Sequence, residues 1–402
     1  MNYSQDEVLQ YVAEEDVKFI RLAFCDVFGH QKNISIMPEE LPRAFSDGIA
    51  FDASAIDGFG DEAHSDLLLH PEPETLVPLP WRPEHGRVMR MFCSISYPSG
   101  KSFECDTRAL LKKAVTDAAA LGLEFSFGSE QEFYLFELDE NGNPTQKPYD
   151  YAGYMDIAPD DRGENIRREI CLTLEQMGIR TESSHHEEGP GQNEIDFRYS
   201  DPVTAADRTL TFQTIVRTVA RRNGLFADFA PKPISELPGN GFHINMSVTP
   251  AEEESLYRLT AGVLQRVKEM TVFLNPSERS YLRLGQKKAP GYISWSHENR
   301  SQLVRIPAAS GEYRRMELRS PDPLANPYLA FALLIHAGLE GLEGNLTPPP
   351  PANINLFRAD AETLARFEKL PSSLKEAQTF AADSAFIQKH IPEAILNLYT
   401  AR

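Results

Sequence analysis

The sequence predicts an α+β protein in two units, and three observations predict it. Short strands and turns dominate from Val17 to about Tyr97, where V-K-F-I-R-L-A-F alternates cleanly before the turn D-V-F-G-H. An amphipathic helix, Thr107 to Gly122, then opens a longer unit in which strands and helices interleave. Within that unit, five segments carry apolar residues on one face and ionisable residues on the other, as strands of one sheet do when helices cover a single side. The boundary falls near residue 100, dividing the chain into 1–100 and 101–402.

The first of the five segments is L-E-F-S-F-G-S-E-Q-E-F-Y-L-F-E, starting at Leu123. Residues two apart in a strand share a face, with Cα atoms about 6.5 Å apart. Glu130 and Glu132 therefore point one way, and Phe133 and Leu135 the other. Two adjacent carboxylates repel unless something cationic lies between them. The device recurs. E-I-D-F-R-Y sets Glu194, Asp196 and Arg198 against Ile195, Phe197 and Tyr199, and G-F-H-I-N-M-S-V sets His243, Asn245 and Ser247 against Phe242, Ile244 and Met246. R-R-M-E-L-R-S sets Arg315, Glu317 and Arg319 against Met316 and Leu318, and Q-L-V-R-I places Arg305 opposite Val304 and Ile306.

A water-facing sheet surface usually carries Lys, Thr, Ser and Gln, but these positions hold Glu, His and Arg with no Lys. Carboxylates with one imidazole suit hard divalent cations such as Mg²⁺ or Mn²⁺, and arginines suit phosphate and carboxylate groups. Metals and a phosphoryl group are expected to meet on this face. In S-S-H-H-E-E-G-P-G-Q-N-E-I-D, a Gly-Pro-Gly turn lies between Glu187 and Glu194 and can fold the two acids together. H-H-E-E alone is a weak signal, because adjacent histidines are more often surface or core residues than ligands and no H-E-x-x-H spacing occurs.

The remaining helices are predicted near Gly163–Met177, Pro202–Asn223, Ala251–Asn275 and Asn326–Gly341. Thr347–Pro351 reads as a stiff polyproline II spacer, followed by a helical, peripheral tail. A formal charge of −19 works against nucleic acid or an anionic membrane as partner. Four scattered cysteines with no C-x-x-C pair fit a reduced, cytoplasmic compartment rather than a disulfide framework or zinc site. No apolar run reaches the roughly 18 residues of a membrane span, and the N-terminus lacks the pattern of a targeting segment.

The quoted strands and turns, with P-K-P before N-G-F-H, N-R-S-Q-L-V-R-I-P and R-R-M-E-L-R-S-P-D-P-L-A-N-P-Y-L-A-F, together resemble the glutamine synthetase family, in particular its bacterial and archaeal class I branch. The likeness runs from about Val17 to Gly344, includes F-D-A-S-A-I near the start, and fades in the tail. It implies a β-grasp N-terminal domain and a catalytic domain with a curved antiparallel sheet backed by helices, the glutamine synthetase and guanido kinase-like arrangement. It further implies a homo-oligomer, a hexameric ring or stacked rings, with active sites shared between neighbouring subunits.

The resemblance also implies a chemistry for nitrogen metabolism: ATP activates the glutamate side-chain carboxylate as γ-glutamyl phosphate, which ammonia attacks. By matched motif, Glu132, Glu187 and Glu194 would hold one Mg²⁺ or Mn²⁺, and Glu130, His243 and Glu317 another, with two to three ions per site. Arg283, Arg300 and Arg319 match positions that bind glutamate and stabilise transfer, and Gly239 the loop at its amino end. Arg305 and Arg315 match positions near the phosphates, and Glu182 and Ser247 nucleotide contacts. Tyr154 and Asp52, the latter from an adjacent subunit, match the ammonium site.

Lys288, in G-Q-K-K-A-P, occupies the catalytic flap position at which the family carries a glutamate. Ala55 replaces a serine of the ammonium pocket, Asn245 a second histidine, and Glu312 a basic residue near the nucleotide. Phe357 stands where some relatives carry an adenylylated tyrosine, so that regulation is not expected. The short end L-N-L-Y-T-A-R works against ring stacking. Three readings follow: glutamine synthesis, ligation of glutamate to an amine or polyamine, and a non-catalytic nucleotide- or glutamate-binding protein.

Overall fold

A computed structural model describes residues 3–82, 85–250, 254–286 and 288–401, with Glu312 described by its backbone alone. The chain divides into two compact units, one of residues 1–110 with 172–179 and one of residues 111–171 with 180–402. Among the described residues no helix is long and apolar enough to cross a membrane.

The first unit is built on a six-stranded sheet. Val17–Cys25 lies parallel to Arg87–Ser96 and antiparallel to Gln31–Ile36, and Asp66–Pro71 and Ile49–Asp52 extend the other edge. Ile20, Leu22, Met89, Met91 and Leu69 are fully or almost fully buried, as the alternation of V-K-F-I-R-L-A-F requires. This is the expected β-grasp unit. Ahead of it runs the helix Gln5–Glu14, closed by a reciprocal capping box between Ser4 and Glu7.

The second unit carries a nine-stranded sheet, and all five charged-face segments are in it. Its order is Trp295–His297, Val304–Ile306, Met316–Leu318, Phe242–Thr249, Glu124–Leu138, Gln192–Phe197, Thr181–His186. Pro144–Pro148 and Leu225–Asp228 pair with the distal half of the long central strand. Every pairing is antiparallel except that of Trp295–His297 with Val304–Ile306.

Helices cover the apolar face. Pro202–Arg222 starts from Asp201, whose side chain accepts from Thr204 N at 3.0 Å, and Pro327–Glu343 from Asn326, which accepts from Tyr328 N at 3.0 Å. The second of these is apolar all round and almost wholly buried, as a central helix must be. It crosses Ser255–Leu274 so closely that a Cβ on Gly262 would meet Ala337 O at 2.0 Å. Phe331 stacks on Phe127 from the underside of the sheet, ring centroids 4.3 Å apart. The helix expected from Ala251 begins at Ser255 in the described residues, Ala251 itself lying outside them. The tail is helical as predicted, in Leu374–Ala382, Ala385–His390 and Glu393–Thr400.

Candidate active site

Strand register brings the acids together. Across the ladder Glu194 faces Glu132, Asp196 faces Glu130, and His243 faces Glu130 from the other side. One strand further, Glu317 faces Asn245 and Arg305. Because each of these residues has the same parity in its strand, one face collects them all.

Several close groupings result. Glu130, His243 and Glu317 offer ligand atoms within 4.8 Å of one another, with His243 Nδ1 3.5 Å from Glu130 Oε2 and 3.8 Å from Glu317 Oε1. This is one of the two metal sets the sequence predicted. The other set, Glu132, Glu187 and Glu194, is divided: Glu194 groups with Glu132 and His243 on one side, and with Glu187 and His185 on the other. The division has a local cause. Glu187 sits on the turn rather than on a strand, where His185 Nε2 holds its Oε1 at 3.1 Å and Glu188 N donates to its Oε2 at 3.0 Å.

The Gly-Pro-Gly turn does bring Glu187 back to Glu194. A Cβ on Gly189 would lie 2.1 Å from the Tyr134 hydroxyl, and Gly191 has φ +69°, so both glycines are needed. The adjacent histidines take separate roles. His185 faces the acids, whereas His186 is buried with Nε2 2.8 Å from Asp150 Oδ1 and Nδ1 2.7 Å from Glu187 O.

Burial, then repulsion from neighbouring carboxylates, pushes Glu132 and Asp196 up to about 7 and Glu194 well above the ordinary carboxylate value. Burial works against Glu187 as well, but the hydrogen bonds from His185 and Glu188 N hold it below its ordinary value. Burial and then Arg319 keep His243 neutral, leaving its ring a lone pair. Asp196 Oδ1 is buried without a hydrogen-bond partner. Oxygen donors that cannot all ionise together, one neutral imidazole and one orphaned carboxylate oxygen fit divalent cations.

Glu317 is fully buried and accepts from both Arg305 and Arg319. Arg283 is buried too, donating to Ser320 O at 2.7 Å and to Arg319 O at 3.3 Å. Gly239 packs against it: a Cβ there would meet Arg283 Cγ at 3.0 Å and Pro231 O at 2.3 Å. Asn245 joins two groups, donating to Glu130 Oε1 at 2.8 Å and accepting from Arg315 Nε at 2.9 Å.

Beside the acids opens a cavity of about 380 Å³, walled by Glu182, Ser247 and Arg315 from the nucleotide set and by Glu130. Tyr199 and Tyr313 face each other there edge to face, ring centroids 6.4 Å apart. This corrects one expectation, since alternation put Tyr199 on the apolar side with Ile195 and Phe197. The strand ends at Phe197, so its alternation no longer governs Tyr199, which turns to the cavity.

The remaining predicted residues make other contacts. Lys288 pairs with Glu188 at 3.0 Å, its ammonium 5.7 Å from the centroid of the exposed Tyr154 ring. Arg300 is exposed, and no hydrogen bond or ion pair among the described residues ties it to the acids. Asp52 ends a strand of the first unit, accepting from Ser54 N and Oγ at 2.9 and 2.6 Å. The Glu312 side chain lies outside the described residues. Residue matching missed Asp196 and His185. The alternation of E-I-D-F-R-Y was signal enough for Asp196; His185 had only its neighbours in H-H-E-E.

Two family descriptions cover nearly the whole chain: "Glutamine synthetase, beta-Grasp domain" over residues 16–98 and "Glutamine synthetase, catalytic domain" over 104–402. A glutamine synthetase of Clostridium saccharobutylicum is 42% identical over 415 residues, covering 99% of this chain and 94% of that one. One of Methanosarcina mazei is 42% identical over 413 residues, covering 98% and 92%. A solved GmaS/ADP complex superposes with a TM-score of 0.89 at 27% identity, covering 100% of this chain and 95% of that one. The fold that gathers five predicted acids and one imidazole thus sits in a chain similar to these proteins from end to end, and the chain belongs to the glutamine synthetase family.

Proposed function

We propose that this protein is an ATP-dependent ligase that joins ammonia to the side-chain carboxylate of glutamate. The observation that carries the reading is the convergence of Glu130, Glu132, Glu194, His243 and Glu317 on one sheet face with Glu187 from the adjoining turn, in a chain of this family. Those six residues, with Asp196, would hold two or three Mg²⁺ or Mn²⁺ ions. Bound there, the ions would supply positive charge to the phosphoryl group in transfer.

This chain's own side chains do the rest. Glu182, Ser247 and Arg315 line the cavity that takes ATP, with Tyr199 and Tyr313 beside the base. Arg305 and Arg319 are anchored on Glu317, so their guanidinium groups are fixed before substrate arrives and need little reorganisation in the reaction. Arg283 and Gly239 receive glutamate, and Arg300 joins them on closure. The γ-phosphoryl group passes from ATP to the glutamate carboxylate oxygen. Neutral ammonia then attacks the acyl carbon, loses a proton and expels phosphate. Tyr154 lies on the acceptor side, where Asp52 of a neighbouring copy in a homo-oligomeric ring would complete the pocket.

The test is phosphate release by purified protein with Mg²⁺, ATP and glutamate, in the presence of ammonium, of a panel of primary amines, or of no acceptor. Release with ammonium supports glutamine synthesis. Release only with amines moves the activity to amine ligation, and silence throughout despite ATP binding makes the protein a non-catalytic binder.

A further inference from the structure

Lys288 is the one predicted catalytic residue whose surroundings contradict its expected job. A flap residue that helps an ammonium acceptor lose its proton should present an acid or base to it, but Lys288 presents a cation. Its ammonium is not loose in solvent. It lies 3.0 Å from Glu188 Oε1 and 5.7 Å from the centroid of the Tyr154 ring. A carboxylate on one side and an aromatic face on another is the arrangement that recognises alkylammonium groups in general.

The cage is braced from behind. The Tyr154 ring meets His185 edge-on at 5.5 Å, His185 holds Glu187, and Glu188 N donates to the same Glu187 carboxylate. Lys288 itself has φ +73°, an uncommon conformation for a residue with a side chain, on a loop flanked by Gly285 at φ +75°. The loop therefore aims the lysine at the cage. Beyond the pair lies a cavity of about 740 Å³, walled also by Gly285, Tyr292 and Phe357, large enough for an acceptor that carries a substituent.

We infer that Lys288 is a tethered stand-in for the acceptor: its ammonium occupies a Glu188–Tyr154 cage that an incoming ammonium or primary alkylammonium must take from it. Lys288 is then a specificity-determining residue that weakens acceptor binding by competition and leaves glutamate and ATP binding alone. The inference rests on the acceptor side of the proposed ligase reading, and its test separates the two.

In steady-state kinetics, Lys288→Ala and Lys288→Gln are expected to lower the KM for ammonium and for methylammonium roughly three- to tenfold, the scale of one partly exposed ion pair with a cation–π contact. The KM for ATP and for glutamate should change less than about twofold on the same scale. An acceptor KM that stays constant or rises overturns the inference. A second arm needs no turnover. In a Lys287→Arg background, the rate at which an amine-reactive label modifies Lys288 is followed by peptide mass spectrometry. Adding Glu188→Gln should raise that rate roughly threefold or more, because the ion pair is gone; equal rates sink the cage. If no acceptor at all supports phosphate release, the ligase reading fails while the labelling arm still decides whether the cage holds Lys288.

Discussion

Glu194 stands directly opposite Glu132 in the antiparallel ladder, so that a buried and a half-buried carboxyl group share one side of the sheet with Asp196 and Glu130, the next like-facing pair. A sheet gains nothing from like charges placed across a ladder. The arrangement stores repulsion that bound cations would relieve, and its first consequences are thermodynamic.

Stability should depend on pH and Mg²⁺ together. Burial and neighbouring acids raise Glu132 and Asp196 to about 7 in the folded state, against about 4 for ordinary carboxyls. Between about pH 4 and 7 the native state therefore binds more protons than the unfolded chain, and metal-free stability falls as pH rises through that window. Mg²⁺ binds the ionised form, so the Tm increase it gives should grow from about pH 5.5 to about pH 8. Scanning calorimetry with and without Mg²⁺ checks this; an increment independent of pH contradicts it.

Glu194→Gln removes the acid that groups with Glu132 and His243, with Glu187 and His185, and with Glu130 and Asp196. The metal-free protein should melt at the same temperature or higher, since the cost of burying an ionisable group among other acids is gone. Its Tm increase with Mg²⁺ should shrink sharply, and phosphate release should fall about a hundredfold or more. Thermal melts and the acceptor assay give both readings from one preparation.

Tyr199→Ala and Tyr313→Ala each strip an aromatic face from the 380 Å³ cavity. If the base of ATP lies against this pair, either change should raise the KM for ATP roughly five- to thirtyfold, the scale of one lost base–aromatic stack. The KM for glutamate should hold steady. Initial-rate kinetics with each substrate varied in turn distinguishes the two.

Gly239→Ala tests the glutamate side. Its new methyl group would meet Pro231 O and the Arg283 side chain, so the loop and the buried guanidinium must shift together. A stability loss of about 1–3 kcal/mol and a roughly tenfold rise in the KM for glutamate are expected. Gly178→Ala is the control. There a Cβ meets nothing within 4 Å and only the φ of +76° resists, so stability should drop by about 1 kcal/mol with no change in KM.

Much of this site was legible along the chain. Period-two alternation told that Glu130 and Glu132 share a face, that Asp196 joins Glu194, and that Phe133 and Leu135 turn to the helices, because a pleated backbone leaves a side chain only two directions. The same rule failed at Tyr199. The strand ends at Phe197, two residues earlier than the alternation assumed, and nothing in Phe197-Arg198-Tyr199 announces that end. The His185–His186 pair was ambiguous for a related reason, since two successive strand residues face opposite sides and their neighbours in sequence do not say which side holds the acids.

What the sequence alone determined is therefore the list of groups and the face each one takes: a charged surface of acids, arginines and one imidazole on a helix-backed sheet. The tertiary structure decided which of them meet. Pairing across strands is set by register and turn geometry summed over distant segments, so only the folded sheet could put Glu194 between Glu132 and Glu187, give Glu317 to two arginines, and set Lys288 in a cage with Glu188 and Tyr154.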